Sequence, residues 1–215
     1  MEVTGYGEAG AEIVLLQPVD ERDRVSAGKE AELIRESTGA GFELLAFPVK
    51  SWNDELSPWE APAVFGKNGF GGRASDTLAE ILGYCKDRER KYILGGYSLA
   101  GLFALWSAYQ TGVFCAVAAA SPSVWFPGFT EYMDSHEIKT GNVYLSLGDR
   151  EEKTKNPVMA TVGDRIRDAK EILSGRDINC ILEWNEGNHF RDPELRTARA
   201  FCRAIDELLR TGSRK

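Results

Sequence analysis

One serine in this chain stands where a strand pattern runs straight into a helix pattern. Lys91-Tyr92-Ile93-Leu94-Gly95-Gly96-Tyr97 reads as a buried strand, and Leu99-Ala100-Gly101-Leu102-Phe103-Ala104-Leu105-Trp106 as an apolar helix, with Ser98 between them. A serine at such a junction takes a strained backbone conformation that lifts its hydroxyl above the sheet edge. The residues two before and two after it must be small, because strand and helix nearly touch there. Gly96 and Ala100 meet that need; Ala100 replaces the last glycine of the usual Gly-x-Ser-x-Gly, and Gly101 relaxes the crowding. The competing reading is a buried serine that merely caps a helix. The functional reading makes Ser98 a nucleophile.

A serine hydroxyl is a poor nucleophile at neutral pH and needs a base, most often histidine, whose unperturbed pKa is about 6.5. The chain has two histidines. His136 lies in the polar stretch Met133-Asp134-Ser135-His136-Glu137 and reads as a surface residue, whereas His189, in Glu186-Gly187-Asn188-His189-Phe190, follows the last strand pattern. Ligands of open α/β sheets meet the loops at the carboxyl ends of strands, and Ser98 and His189 both fall at such ends. A carboxylate must orient the imidazole. Gly148-Asp149-Arg150-Glu151-Glu152 follows another strand and supplies it, Glu151 being the first choice and Asp149 the second. The charge that grows on an attacked carbonyl oxygen needs backbone donors. Leu99 N–H is one; the second is assigned only as far as Val19 or Asp20, because Pro18 in Gln17-Pro18-Val19-Asp20 has no N–H.

These positions presuppose a sheet. Short apolar runs alternate with helical patterns along the chain, the signature of a mostly parallel sheet with helices on both faces. Six strands are predicted, at Glu12–Val19, Phe42–Val49, Lys91–Tyr97, Phe114–Ser121, Asn142–Leu147 and Ile178–Asn185. Ser26 is expected to cap the first helix and Gly39 to stop it; Asn156-Pro157 and Asp192-Pro193 each place a capping residue before a first-turn proline. Two connections, 50–73 and 122–141, are too long for turns and are rich in aromatic residues. Trp52, Trp59, Phe65, Phe70 and Trp125 lie in them and are candidate walls of an apolar pocket, core packing explaining some of them equally well, with Trp52 and Trp125 the chosen substrate contacts. The glycine-rich stretch Phe65–Gly72 lacks the Lys-Ser or Lys-Thr of a phosphate loop and reads as a turning loop.

Four segments together resemble a known family: Gly96-Tyr97-Ser98-Leu99-Ala100-Gly101-Leu102-Phe103, Ser121-Pro122-Ser123-Val124-Trp125, Leu147-Gly148-Asp149-Arg150-Glu151 and Gly187-Asn188-His189. They are similar to the esterase family of the α/β-hydrolase superfamily that includes enterochelin esterases and esterase D. The resemblance covers about the last 125 residues. It implies an α/β-hydrolase-type three-layer sandwich, catalytic roles for Ser98 and His189, an acid near Glu151, and hydrolysis of a carboxylic ester through an acyl-enzyme.

Composition narrows the alternatives. With 215 residues, 43% of them hydrophobic, one α/β domain over 1–215 is expected. The net charge of −7 disfavours nucleic acid and anionic lipid as partners. Residues 1–20 lack a signal-peptide pattern and no apolar run reaches membrane-helix length, so a cytoplasmic protein is expected. Cys85, Cys115, Cys180 and Cys202 are far apart, without metal-ligand spacing, and read as reduced thiols. No metal or organic cofactor is called for, and the expected partner is a small-molecule ester. A thioesterase or peptidase with the same triad, or a catalytically silent binding protein of the same fold, are the rival readings.

Overall fold

A computed structural model of the chain describes residues 2–21 and 24–212. Its strands are β1 (Thr4–Gly7), β2 (Ile13–Asp20), β3 (Phe42–Val49), β4 (Glu60–Ala61), β5 (Phe70–Gly71), β6 (Lys91–Tyr97), β7 (Phe114–Ala120), β8 (Asn142–Gly148) and β9 (Asn179–Asn185). Its helices are α1 (Arg24–Ser37), α2 (Trp52–Glu55), α3 (Ala74–Leu82), α4 (Leu99–Gln110), α5 (Phe129–Ser135), α6 (Val162–Ser174) and α7 (Pro193–Gly212). Seven strands form one sheet in the order β1-β3-β2-β6-β7-β8-β9, parallel except for the antiparallel edge β1.

Alternation along each strand sorts the core into two layers, one on each face. Val14, Leu16, Leu94, Val117, Ala119, Val143 and Leu145 pack under α3, α4, α5 and α6. Leu15, Leu44, Ile93, Ala118 and Tyr144 face the opposite way, onto Ile34 of α1 and Phe201 of α7. The fold is thus a three-layer α/β sandwich. The run Ile93–Trp106, too apolar for a surface, is explained: it is a central strand followed by a helix buried on nearly every side. Gly95 shows how tight the second layer is. A Cβ there would sit 2.7 Å from the Phe201 ring and 2.7 Å from Ala118 O.

The strand order reverses between β2 and β6: the chain moves from β2 outward to β3, and from β6 the other way to β9. These two strands pair only from Ile13↔Lys91 to Leu16↔Leu94, after which β2 stays with β3 and the sheet opens at its carboxyl end. Such a switch point is where open α/β sheets bind ligands. Ser98 follows directly on β6.

Two local expectations need correction. The first helix begins by Arg24, so Ser26 lies within its first turn and does not cap it. Neither long connection is one loop: 50–73 contains α2 and the two-residue ladder of β4 with β5, and 122–141 contains α5. At the other predicted cap, Asn156 Oδ1 accepts from the backbone N–H of Val158 and Met159, and so starts the 3₁₀ turn that leads into α6. Among the described residues no helix is long and apolar enough to cross a membrane.

Candidate active site

Ser98 has φ 58° and ψ −119°, a conformation that costs an L-residue about 1–3 kcal/mol. It is held by three backbone bonds: Ser98 N–H donates to Ala120 O, and Ser98 O accepts from Leu102 N–H and Ser123 N–H. The sharp turn brings β6 and α4 together. A Cβ on Gly96 would come within 2.6 Å of the Ala100 Cβ, so glycine at one and a methyl at the other fill the space between strand and helix.

His189 reaches Ser98 from the loop after β9. Its Nε2 is 3.0 Å from Ser98 Oγ and its Nδ1 is 2.6 Å from Glu151 Oε2. With the ring proton on Nδ1, the imidazole donates to the carboxylate and accepts from the serine hydroxyl. Glu151 is tied from the other side as well: Oε1 accepts from Ser121 Oγ (2.7 Å), Gly148 N–H (2.7 Å) and Arg196 Nη1 (2.9 Å). Burial raises the Glu151 pKa, but the hydrogen bond and charge of His189, the Ser121 hydroxyl and the Gly148 N–H outweigh it, and the carboxyl titrates below its ordinary range.

The loops that carry these groups are shaped to meet. A Cβ on Gly148 would lie 2.3 Å from Gly187 O and 2.9 Å from Glu151 Oε1, so only glycine lets the acid loop and the histidine loop touch. Asp149, the second choice for the acid, does not face the imidazole. Its Oδ1 accepts from Gly187 N–H at 2.7 Å, and its own N–H donates to Asn185 O, which clamps the two loops together. Tyr97 adds a third tie, its hydroxyl donating to His189 O at 2.8 Å; burial first of all raises its pKa, so the phenol keeps its proton.

Above Ser98 and His189 opens a cavity of about 510 Å³, with Trp52, Phe65, Phe70 and Trp125 among its walls and Phe190 at its rim. Trp52 and Trp125 thus stand where the sequence places them. Trp59 takes the core-packing alternative: half-buried, it packs against Phe126, Phe129 and Tyr132 and donates to Pro127 O. Leu99 lines the cavity, whereas Val19 and Asp20 line a neighbouring hollow of about 400 Å³ beyond Trp52 and Tyr97. His136 is exposed, stacked on Tyr132 at 4.0 Å, and far from this array in the fold. Sequence reasoning missed Ser121, Ser123 and Arg196. Ser123 Oγ lies 3.3 Å from Ser98 Oγ, and Arg196 is a buried cation on the first turn of α7.

No family model and no curated protein sequence matches the chain. Solved structures do. A siderophore hydrolase, EstA from Aspergillus nidulans, superposes with a TM-score of 0.63 at 18% identity, over 94% of this chain and 85% of that one. An IroE-like serine hydrolase from Shewanella oneidensis gives 0.70 at 15% identity, over 94% and 74%. The enterobactin esterase FES from Shigella flexneri gives 0.67 at 14% identity, over 96% of this chain but only 55% of its own length. At these identities the likeness is one of fold, the mostly parallel α/β sandwich that these proteins share with the chain.

Proposed function

We propose that the protein is a serine esterase that cleaves a small-molecule carboxylic ester through an acyl-enzyme on Ser98. The observation that carries this reading is the unbroken line from Ser98 Oγ through His189 to Glu151, at 3.0 Å and 2.6 Å, on a serine with positive φ. That all three solved neighbours described above are named as hydrolases or esterases supports it by analogy.

In the first half-reaction Ser98 Oγ attacks the ester carbonyl carbon while His189 Nε2 takes the hydroxyl proton. Glu151 holds the imidazole with its Nδ1–H inward and stabilises the imidazolium. The negative charge passes to the carbonyl oxygen, where Leu99 N–H is the donor that the turn supplies. Collapse breaks the bond to the alkoxy group, which leaves with the proton from His189. Water then attacks the acyl carbon by the same route, giving the carboxylic acid and restoring Ser98. The aromatic cavity, with Trp52 and Trp125 in its walls, takes the apolar part of the ester.

A fluorophosphonate probe followed by peptide mapping tests the assignment. Covalent addition at Ser98, lost together with hydrolysis of short p-nitrophenyl esters in a folded Ser98→Ala variant, is the expected result. Labelling at another serine, or undiminished hydrolysis by Ser98→Ala, would overturn it.

A further inference from the structure

We infer that Arg196 is a positioning residue of this site, one that presents Glu151 to His189 and offsets part of the carboxylate's charge. The inference rests on the serine-esterase reading above and adds a fourth member to its machinery.

The geometry separates the two carboxylate oxygens. Oε1 carries three donors, from Ser121, Gly148 and Arg196, and is saturated; Oε2 faces the imidazole alone. The Arg196 and Glu151 side chains are each only 3% exposed, so their attraction is little screened. Arg196 is further fixed by donating to Tyr97 Oη at 3.1 Å and to Glu186 O at 2.9 Å, while Tyr97 in turn holds His189 O. One guanidinium therefore ties together the loop after β8, the end of β6 and the loop that carries His189. Its fork geometry and permanent charge suit that task.

The electrostatic part follows from counting charges. A carboxylate favours the charged form of an imidazole that it touches, and a guanidinium on the same carboxylate opposes this. Arg196, 2.9 Å from Oε1, is placed to offset part of the Glu151 charge. Other charged groups nearby do not take this role. Glu186 pairs with Arg191 at 2.7 Å, Asp192 lies 3.5 Å from Arg191, Asp149 binds Gly187 N–H, Glu152 lies 3.8 Å from Arg167, Arg150 is exposed, and the Tyr97 phenol is uncharged. Whichever of Glu151 and His189 carries the shared proton, removing a neighbouring positive charge raises the pH at which the pair gives it up.

The pH dependence of kcat/KM for a short p-nitrophenyl ester, measured for Arg196→Gln, Arg196→Lys and Arg196→Met, tests this. Gln keeps an N–H for Oε1 without the charge, and Lys keeps the charge without the fork. The acid limb of the profile is expected to move up by about 1 pH unit in Arg196→Gln and Arg196→Met and to stay in place in Arg196→Lys. KM should be unchanged in all three, since Arg196 does not line the cavity. Should the Met variant fail to fold, the Gln and Lys pair decides. Limbs that coincide with the parent's in both, with only kcat lowered, would reduce Arg196 to a packing role. A limb that survives His189→Ala, or a probe that misses Ser98 in the parent protein, would instead sink the esterase reading and this inference with it.

Discussion

The floor of the Ser98 cavity and its walls are built on opposite plans. The floor is polar, buried and tied at every atom: Glu151 alone holds four partners, and glycines at 148 and 96 let backbone approach where any side chain would collide. The walls are aromatic, contributed by α2, the β4–β5 ladder and the segment after β7, and their rings meet one another edge to face, as Phe65 meets Trp125 at 6.1 Å. Phe190 at the rim is 85% exposed. A saturated network is costly to alter where a change leaves a buried group unpaired. An aromatic wall loses contact area in proportion to what is removed. The floor should therefore govern turnover, and the walls should govern affinity and choice of acyl group.

The sharpest break of that contrast comes from the base. His189→Ala is expected to lower kcat by on the order of 10⁴-fold or more with KM little altered, in steady-state hydrolysis of a p-nitrophenyl ester, whereas His136→Ala leaves both unchanged. Equal losses from the two substitutions, in folded proteins, would place the chemistry elsewhere. Next is the acid: Glu151→Gln should cost roughly 10²-fold or more in kcat, against less than about 10-fold for Asp149→Asn, whose bond goes to backbone. The reverse ranking would move the orienting role to Asp149.

Stability against pH reads the same floor without any substrate. The Glu151 carboxyl titrates below its unfolded value, so the folded state binds fewer protons there. Its contribution is present above about pH 4.3, the unfolded value for glutamate, and is lost as the pH falls through the lower folded value. Denaturant midpoints should accordingly fall less steeply on acidification in Glu151→Gln than in the parent. The smallest effects belong to the walls. Phe190→Ala should leave the melting temperature unaltered and raise KM for aromatic acyl esters only several-fold, as the loss of one exposed ring contact implies. A kcat effect larger than the KM effect would mean that the rim takes part in positioning the floor.

Much of this was readable before any coordinates. The strands β3 and β6 have the expected ends, and the other four lie within a residue of theirs, because apolar runs between charges and glycines define buried strands well. The edge strand β1 escaped notice, since Thr4-Gly5-Tyr6-Gly7 has no apolar run and pairs on one side only. The β4–β5 ladder is two residues long and leaves no periodicity. Ser98, Glu151 and His189 could be placed beside one another because each follows a strand of one parallel sheet, so chain order converts into position. Arg196 could not, because a charge on a helix is by default assigned to solvent. The signal was present: Arg196 falls on the stripe of Ala200 and Ala204, both buried, where α7 should be apolar. Pocket wall and core packing stayed open for Trp59 because composition cannot tell which face of a loop an aromatic ring turns to.

The positive φ of Ser98 has a thermodynamic side. A residue held at 58° is a fixed liability of the folded state that glycine would not carry, since glycine reaches such angles without a Cβ clash. Replacing Ser98 by glycine removes the hydroxyl and with it the bonds to His189 and Ser123, yet it also releases the strained turn. The molecule that results should melt at or above the temperature of its parent and do nothing. Stability and turnover are thus set against each other at a single position. A search for more heat-resistant variants that selects on folding alone would be drawn toward erasing the one residue on which the proposed chemistry depends.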